Sequence, residues 1–565
     1  MHKPVVAISA LILLAACTST EGGPRPASGP SGGTFIYSAP SDPQSVFPAF
    51  VAEQVGAVVI DLVFDHLADI SSDLTTTGDK TFTPRLARSW TWSPDSLSIT
   101  FSLDPRARWH DGKPVTAGDV RYSVKVLIDP KVASPVAATL SNVDSVSVKD
   151  SLTAVVWFKK HTPEQFYDIA YQLYVVPEHV YGKVPLDSLR TSDVIRTPVG
   201  SGQFRFVQWK PDVSFELDAD TANYHGRPLL DRVIVTPATD PAARRTQVLT
   251  GQADFMQNFP GDLAVLDSSK VARALVVPSL QYVFMGMNPY APKSNMQAHP
   301  IFSDVRVRRA LSMAVDRVAM LHNVFGDKGL LGRGPFPMIL SVSDTTVKLP
   351  PYDTAAAGAL LDSAGWRRGP NGTRSKHGAP LKFSLLLPST TASRQKYSQL
   401  LQEQFRRIGV TLVIDAVDPK TFTARIQPGQ KAGDFDAVIQ GFQTDPSPNG
   451  MRQNWGTAGI GLEGQNVLHY SNPKTDALID SIALSFDPAK AKAYAKRAFQ
   501  QIADDAYAIW LYDITEVEAV NRRVTVTRTR ADGWWRYLGE WSIAPDKRID
   551  RDKIPLSAGA PTPAR

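Results

Sequence analysis

A single cysteine in 565 residues sets the first limit. It excludes an internal disulfide and any Cys-rich zinc site. Long hydrophobic runs are also missing. Beyond one apolar stretch near the start, no segment approaches 18 uninterrupted apolar residues, so nothing later in the chain reads as a membrane span. Basic blocks are absent: 61 Lys+Arg stand against 55 Asp+Glu, a formal net charge of +6, and the charges are scattered. No Lys/Arg stripe interleaved with aromatics stands out, which argues against a nucleic-acid surface. The densest basic group, Arg306, Arg308 and Arg309, reads as the opening turn of an amphipathic helix.

Catalytic motifs are missing as well. There is no G-x-S-x-G, no H-E-x-x-H, no Walker loop and no G-x-G-x-x-G, and the glycines of 329–334 have the wrong spacing for a dinucleotide loop. Ser471-Asn472-Pro473-Lys474 satisfies a bare S-x-x-K, but the proline argues against the helical turn that pairing needs. His110-Asp111 sits in a turn with no second histidine at ligand spacing. No catalytic residue, metal ligand or cofactor is expected, and an enzyme is disfavoured.

What is present begins with the cysteine's position. An apolar run from Val5 to Ala16 follows Met1-His2-Lys3 and has the length of a signal-peptide core. It ends Leu14-Ala15-Ala16-Cys17, which resembles the lipobox of bacterial lipoproteins. That resemblance implies a signal peptide over 1–16 and a lipid anchor on Cys17. An ordinary secretory signal with an incidental cysteine is the alternative. The Ser, Thr, Gly and Pro that dominate 17–33 fit a flexible tether, and Pro555 to Arg565 is expected to fray in the same way.

From Thr34 the pattern is mixed α/β. The length calls for two or three lobes rather than one core. Ile99, Phe101 and Leu103 alternate as a half-buried strand, and Thr153–Phe158 is another. Phe204–Val207 and Ser214–Leu217 read as paired strands. One long amphipathic helix is expected from Asp304 to Phe325, a helix over 397–408 stopped by Gly409, and a helix from Asp487-Pro488 to about Asp504. Short strands are expected near Met285-Gly286-Met287-Asn288 and from Ile509 to Tyr512. Aromatics lie near several turns, among them Trp366, Phe442, Trp455, Trp534 and Trp535, and such rings suit a solute receptor.

Three stretches then carry a family. The first runs Pro84-Arg85-Leu86-Ala87-Arg88-Ser89-Trp90, through Ser93-Pro94-Asp95, to Trp109-His110-Asp111-Gly112-Lys113-Pro114-Val115-Thr116-Ala117-Gly118-Asp119-Val120. The second is Thr197-Pro198-Val199-Gly200-Ser201-Gly202 with Asn223-Tyr224-His225-Gly226-Arg227-Pro228-Leu229-Leu230-Asp231. The third is Asp304-Val305-Arg306-Val307-Arg308-Arg309-Ala310-Leu311 with Ala314-Val315-Asp316-Arg317. Together they resemble the family 5 extracellular solute-binding proteins, the peptide- and nickel-binding components of ABC importers.

The resemblance implies two lobes closing on a cleft, in a periplasmic-binding-protein-like α/β fold with an extra domain inserted in lobe I. Mapped here, lobe I is 34–75, 190–288 and 507–550, the insertion is 76–189, lobe II is 289–506, and 551–565 is a flexible tail. It also implies that Asp445, in Gly441-Phe442-Gln443-Thr444-Asp445-Pro446, neutralises a ligand ammonium, with Phe442, Trp455, Tyr282 and Trp510 as further contacts. Asp445 as a simple turn cap is the competing reading. Pro388-Ser389-Thr390-Thr391 lacks the arginine that dipeptide binders carry there, although Arg394 is close, so a longer or non-peptide ligand is favoured over a dipeptide.

The implied role is capture of a small solute, most readily a peptide, for a membrane permease and its ATPase. The protein would be an extracytoplasmic monomer, lipid-anchored to a bacterial membrane in the periplasm or on the outer surface. A surface sensor or hydrolase lipoprotein is the alternative, or the same role for an oligosaccharide, opine or nickel chelate.

Overall fold

The computed structural model describes residues 30–259, 263–426, 431–461 and 464–557. The signal peptide, Cys17 and most of the tether fall outside the described residues, as does 558–565.

The chain enters on strand β1 (Thr34–Ala39) and soon leaves for a separate antiparallel sheet. Its strands are β2 (Ala87–Trp92), β3 (Ser98–Leu103), β4 (Val143–Asp150) and β5 (Thr153–Phe158), in the order β2-β3-β5-β4. The alternation read from β3 is real: Ile99, Phe101 and Leu103 are wholly buried. A helix over Ala117–Ile128 packs on this sheet, started by a capping box between Thr116 and Asp119. The chain returns through β6 (Phe204–Lys210), β7 (Ser214–Ala219), β8 (Arg232–Pro237), β9 (Phe255–Met256) and the 16-residue β10 (Ala272–Met287). There follow β11 (Leu330–Leu331), β12 (Lys382–Pro388), β13 (Thr411–Val417), β14 (Ala437–Gln443) and the 14-residue β15 (Ala508–Asn521).

All of these except β2–β5 belong to one 11-stranded sheet, in the order β13-β12-β14-β10-β15-β9-β1-β8-β7-β6, with β11 on β15. Strands β10 and β15 pair antiparallel along nearly their whole length. Each half of that ladder carries a different set of neighbours. Strand β14 joins only the Gln281–Met287 end of β10, while β9 joins Ala519 and Val520 at the far end of β15. Between the halves the register jumps from Pro278–Thr515 to Tyr282–Asp513. Three residues, 279–281, there oppose one, and such a bulge bends a ladder and re-aims its side chains.

Three expectations need correction. The helix expected over 304–325 is two, Val305–Met313 and Arg317–Phe325. The apolar spacing runs on through the break, but the Asp316 carboxylate accepts the Ala319 N–H at 3.0 Å and starts a new helix. The strand expected over Ile509–Tyr512 is only the beginning of β15. The tail does not fray at Pro555. Its carbonyl accepts from Arg232 at 2.9 Å, and the Ser557 N–H donates to Asp218 at 2.7 Å. Just before it, Asp552 accepts the Thr34 N–H at 2.7 Å and pairs with Arg523, whose guanidinium also holds Asp254. Arg308 and Arg309 donate to the Asp505 and Asp504 carbonyls, at the C-terminus of the helix Pro488–Asp505. There their charge complements the helix dipole.

Gly200 and Gly202 fix how the chain rejoins the 11-stranded sheet after its excursion. The Gly202 N–H donates to the Val63 carbonyl at 2.8 Å, and a Cβ on Gly200 would lie 1.8 Å from that same oxygen. No side chain fits there without moving backbone. Gly200→Ala should lower the unfolding free energy by about 2 kcal/mol or more, read from urea titration, through overpacking of this contact.

Candidate functional site

The bulge opens onto a cleft of about 600 Å³. Its floor is Val277–Gln281 of β10, with Glu516 of β15 beside it. One wall is the turn after β14, Gln443–Pro446. The other combines Tyr167 and Tyr171 with Asp532, Trp534 and Arg536. A second cavity of about 210 Å³, mostly apolar, shares Gln172 with the first.

Charge in this cleft is lopsided. Arg536 is already matched, by Asp61 at 2.5 Å and by Asp532 at 3.5 Å. Asp532 also accepts from Arg530 and from the Tyr171 hydroxyl. The remaining carboxylates have no cationic partner among the described residues. Asp445 caps its own turn through the Ser447 N–H at 2.9 Å. Its side chain is open to the cleft, yet the protein packed around it pushes its pKa up. Glu164, buried beside the cleft rather than lining it, accepts from Thr76 at 2.5 Å, from the Ser447 hydroxyl at 2.7 Å and from the Asn449 amide. It thereby ties the wall before the helix Gln165–Ala170 to the turn that carries Asp445. Burial raises its pKa, and so does the charge of Asp445. Asp168, one turn along, is pushed up to about 8 by burial and by the charges of Glu164 and Asp445. Among the described residues, no group of three or more His, Cys, Asp or Glu is placed to hold a metal ion.

Of the five residues expected at the ligand, Asp445 lines the cleft. Phe442, Trp455, Tyr282 and Trp510 do meet one another, but in a buried aromatic cluster behind the floor. The Trp455 and Trp510 rings lie 5.1 Å apart, and Tyr282 is 5.9 Å from Phe442. Trp455 Nε1 donates to the Tyr282 hydroxyl at 2.9 Å. None of the four is more than 5% exposed, so in this conformation they brace the floor rather than face solvent. His110 is likewise structural: its Nε2 lies 2.9 Å from the Gly202 carbonyl. Glu164, Asp168, Glu516 and Arg536 were not foreseen. Each is an ordinary charged residue locally, and only the fold brings them together.

The raised Asp168 pKa has a defined sign in stability. The folded carboxyl, at about 8 against an ordinary 3.8, favours the folded state below about pH 4 and loses that contribution as pH rises through 8. Asp168→Asn should therefore raise the melting temperature at pH 8 and change it little at pH 4, measured by calorimetry across that range.

With the cleft in place, three relatives give it context. Oligopeptide-binding protein AppA of Bacillus subtilis is 26% identical over 422 residues, 74% of this chain and 75% of that one. The AppA structure with a nonapeptide superposes at a TM-score of 0.66, with 22% identity, over 91% of this chain and 100% of that one. The substrate-binding protein CtaP of Listeria monocytogenes gives a TM-score of 0.76, with 22% identity, over 91% and 99%. Heme-binding protein A of Haemophilus influenzae is 25% identical over 519 residues, 86% of this chain and 89% of that one. The two-lobed α/β fold is thus that of the periplasmic binding proteins. Residues 81–462 match the model of the bacterial extracellular solute-binding proteins, family 5, and the chain belongs to that family.

Proposed function

We propose that this protein is the substrate-binding lipoprotein of an ABC importer and that its solute is a peptide, taken into the interlobe cleft and handed to a membrane permease and ATPase. The observation that carries the peptide reading is Asp445, a carboxylate on the cleft wall with no cationic partner among the described residues. A carboxylate so placed in a partly desolvated cleft suits an incoming ammonium. Asp445 takes the peptide's α-ammonium, in a charge-assisted pair inside a partly desolvated cleft. AppA, whose name and structure record an oligopeptide ligand, supports the same assignment.

In this reading 34–75, 190–288 and 507 to Ser557 form lobe I, 289–506 forms lobe II, and 76–189 is the insertion. The lobes move about the bulge at 279–281, and a ligand closes them only through its stronger contacts with the closed state. The protein acts as a monomer, without cofactor and without catalysis, outside the cytoplasm and anchored through Cys17. Among the described residues no helix is long and apolar enough to cross a membrane.

Asp445→Asn keeps a side-chain oxygen for the Ser447 turn and removes only the charge. It should weaken a bound oligopeptide by on the order of 2 kcal/mol in isothermal titration, with little change in the melting temperature of the free protein. Unchanged affinity would reduce Asp445 to a turn cap. Cys17→Ser should shift the protein from the membrane to the soluble extracytoplasmic fraction.

A further inference from the structure

The α-ammonium site leaves one acidic surface of the cleft unused. Glu516 lines the floor and stands level with Val277 in the β10–β15 ladder. Two residues on, and so on the same face of the strand, Glu518 is wholly buried. Its Oε2 accepts the Asn258 N–H at 2.5 Å, while its Oε1 has no donor. Burial, and then the charge of Glu516, push the Glu518 pKa well up, so the two carboxyls resist ionising together.

The surrounding cations form no ion pair with either glutamate among the described residues. Arg536, in the same cleft, is matched by Asp61 and Asp532. Around Tyr37 of β1, which feels both glutamates, stand Arg244 and Glu53. The Arg244 guanidinium donates to the Ala238 and Thr239 carbonyls. The Tyr37 hydroxyl is bonded to Gln257, and the Glu53 carboxylate caps Val55 and Gly56. A buried, unpaired carboxyl behind one that faces the cleft destabilises the free protein. A positive group arriving from the cleft would let both carboxyls ionise and relieve that cost.

We propose that Glu516, backed by Glu518, is a second cation station, so that the ligand carries two positive groups: the ammonium held by Asp445 and a basic side chain held by Glu516. The inference rests on the reading of Asp445 given above. The spacing follows from the ladder. Glu516 is level with Val277, and Asp513, three residues along β15, is level with Tyr282 next to the Gln281–Gln443 pair, a span of about 10 Å at roughly 3.3 Å per residue. An extended peptide with lysine or arginine a few residues after its N-terminus spans that distance. A polyamine presents the same chemistry.

Isothermal titration of the full chain distinguishes the cases. The probes are alanine hexapeptides with one lysine moved from position 2 to position 5, matched peptides with norleucine at the same position, and spermidine. At one position the lysine peptide should bind about tenfold or more tightly than its norleucine match. Glu516→Gln, which keeps the shape, should bring that ratio near one, whereas Asp445→Asn should weaken both peptides. Equal binding of lysine and norleucine peptides to the unaltered protein, which needs no variant to fold, would overturn the second station and leave the peptide reading standing. Spermidine bound with no peptide bound, and lost in Glu516→Gln, would keep the station and overturn the peptide assignment. Failure of all probes to bind would overturn both.

Discussion

The antiparallel pairing of β10 with β15 is the constraint on which the rest depends. Two strands of 16 and 14 residues run through both halves of one sheet, and every other strand of that sheet attaches to one half or the other. A ladder of that length resists bending where its hydrogen bonds are regular. It yields where the register slips, at 279–281. The cleft therefore sits over the bend for a mechanical reason. Its floor comes from the two strands that bend there, one wall from the turn after β14, and the other from Tyr167, Tyr171 and residues of 531–536.

Electrostatics complete the arrangement. The basic side chains of the cleft region are saturated: Arg536 by Asp61 and Asp532, Arg530 by Asp69 and Asp532. Asp445 and Glu516, which line the open space, have no such partner among the described residues. Burial raises Asp445, Glu164 and Asp168 together, and the first acts on the other two. Glu164 meanwhile bonds Ser447 and Asn449 across the gap. The same acid thus joins the walls and adds to the negative potential that a cation would meet. Behind the floor, the cluster of Phe442, Trp455, Tyr282 and Trp510 keeps the strands rigid up to the bend, each aromatic pair adding about 0.5–1.5 kcal/mol beyond its buried area.

How much of this was legible depended on how local each signal is. Strands β3 and β5 follow from period-two alternation, and their ends agree with the reading residue for residue. The cap at Asp487 was also local and correct. Strand β15 was read short because Thr515, Glu516 and Glu518 interrupt its apolar pattern, and those are the residues that face the bend. The helix break at Asp316 was missed because Ala314 and Val318 keep the helical spacing across it. Asp445 was reached through family pattern, not through any local chemistry. Glu164 and Asp168 lie more than 270 residues from it in sequence, so no window on the chain joins them. The four aromatics were expected at the ligand from the family resemblance. The buried positions of Tyr282, Phe442 and Trp510 are set by the register of β10, β14 and β15, and that of Trp455 by the helix Gly450–Trp455, none of which composition reveals.

The latch between Thr34, Arg523 and Asp552 has a consequence for how the molecule comes into being. Strand β1 lies inside the sheet, flanked by β8 and β9, and its first residue is bonded to a side chain more than 500 positions later. Contacts of such sequence separation form slowly, because a long loop must close before they are rewarded. Strand β15, which borders β9, is also among the last segments to be synthesised. The β1 side of the sheet thus stays incomplete until β15 has been made, whereas β12, β13 and β14 lie within one continuous stretch. The order of assembly is therefore written into the topology: the β12–β14 side of the sheet first, and the side that bears β1 last.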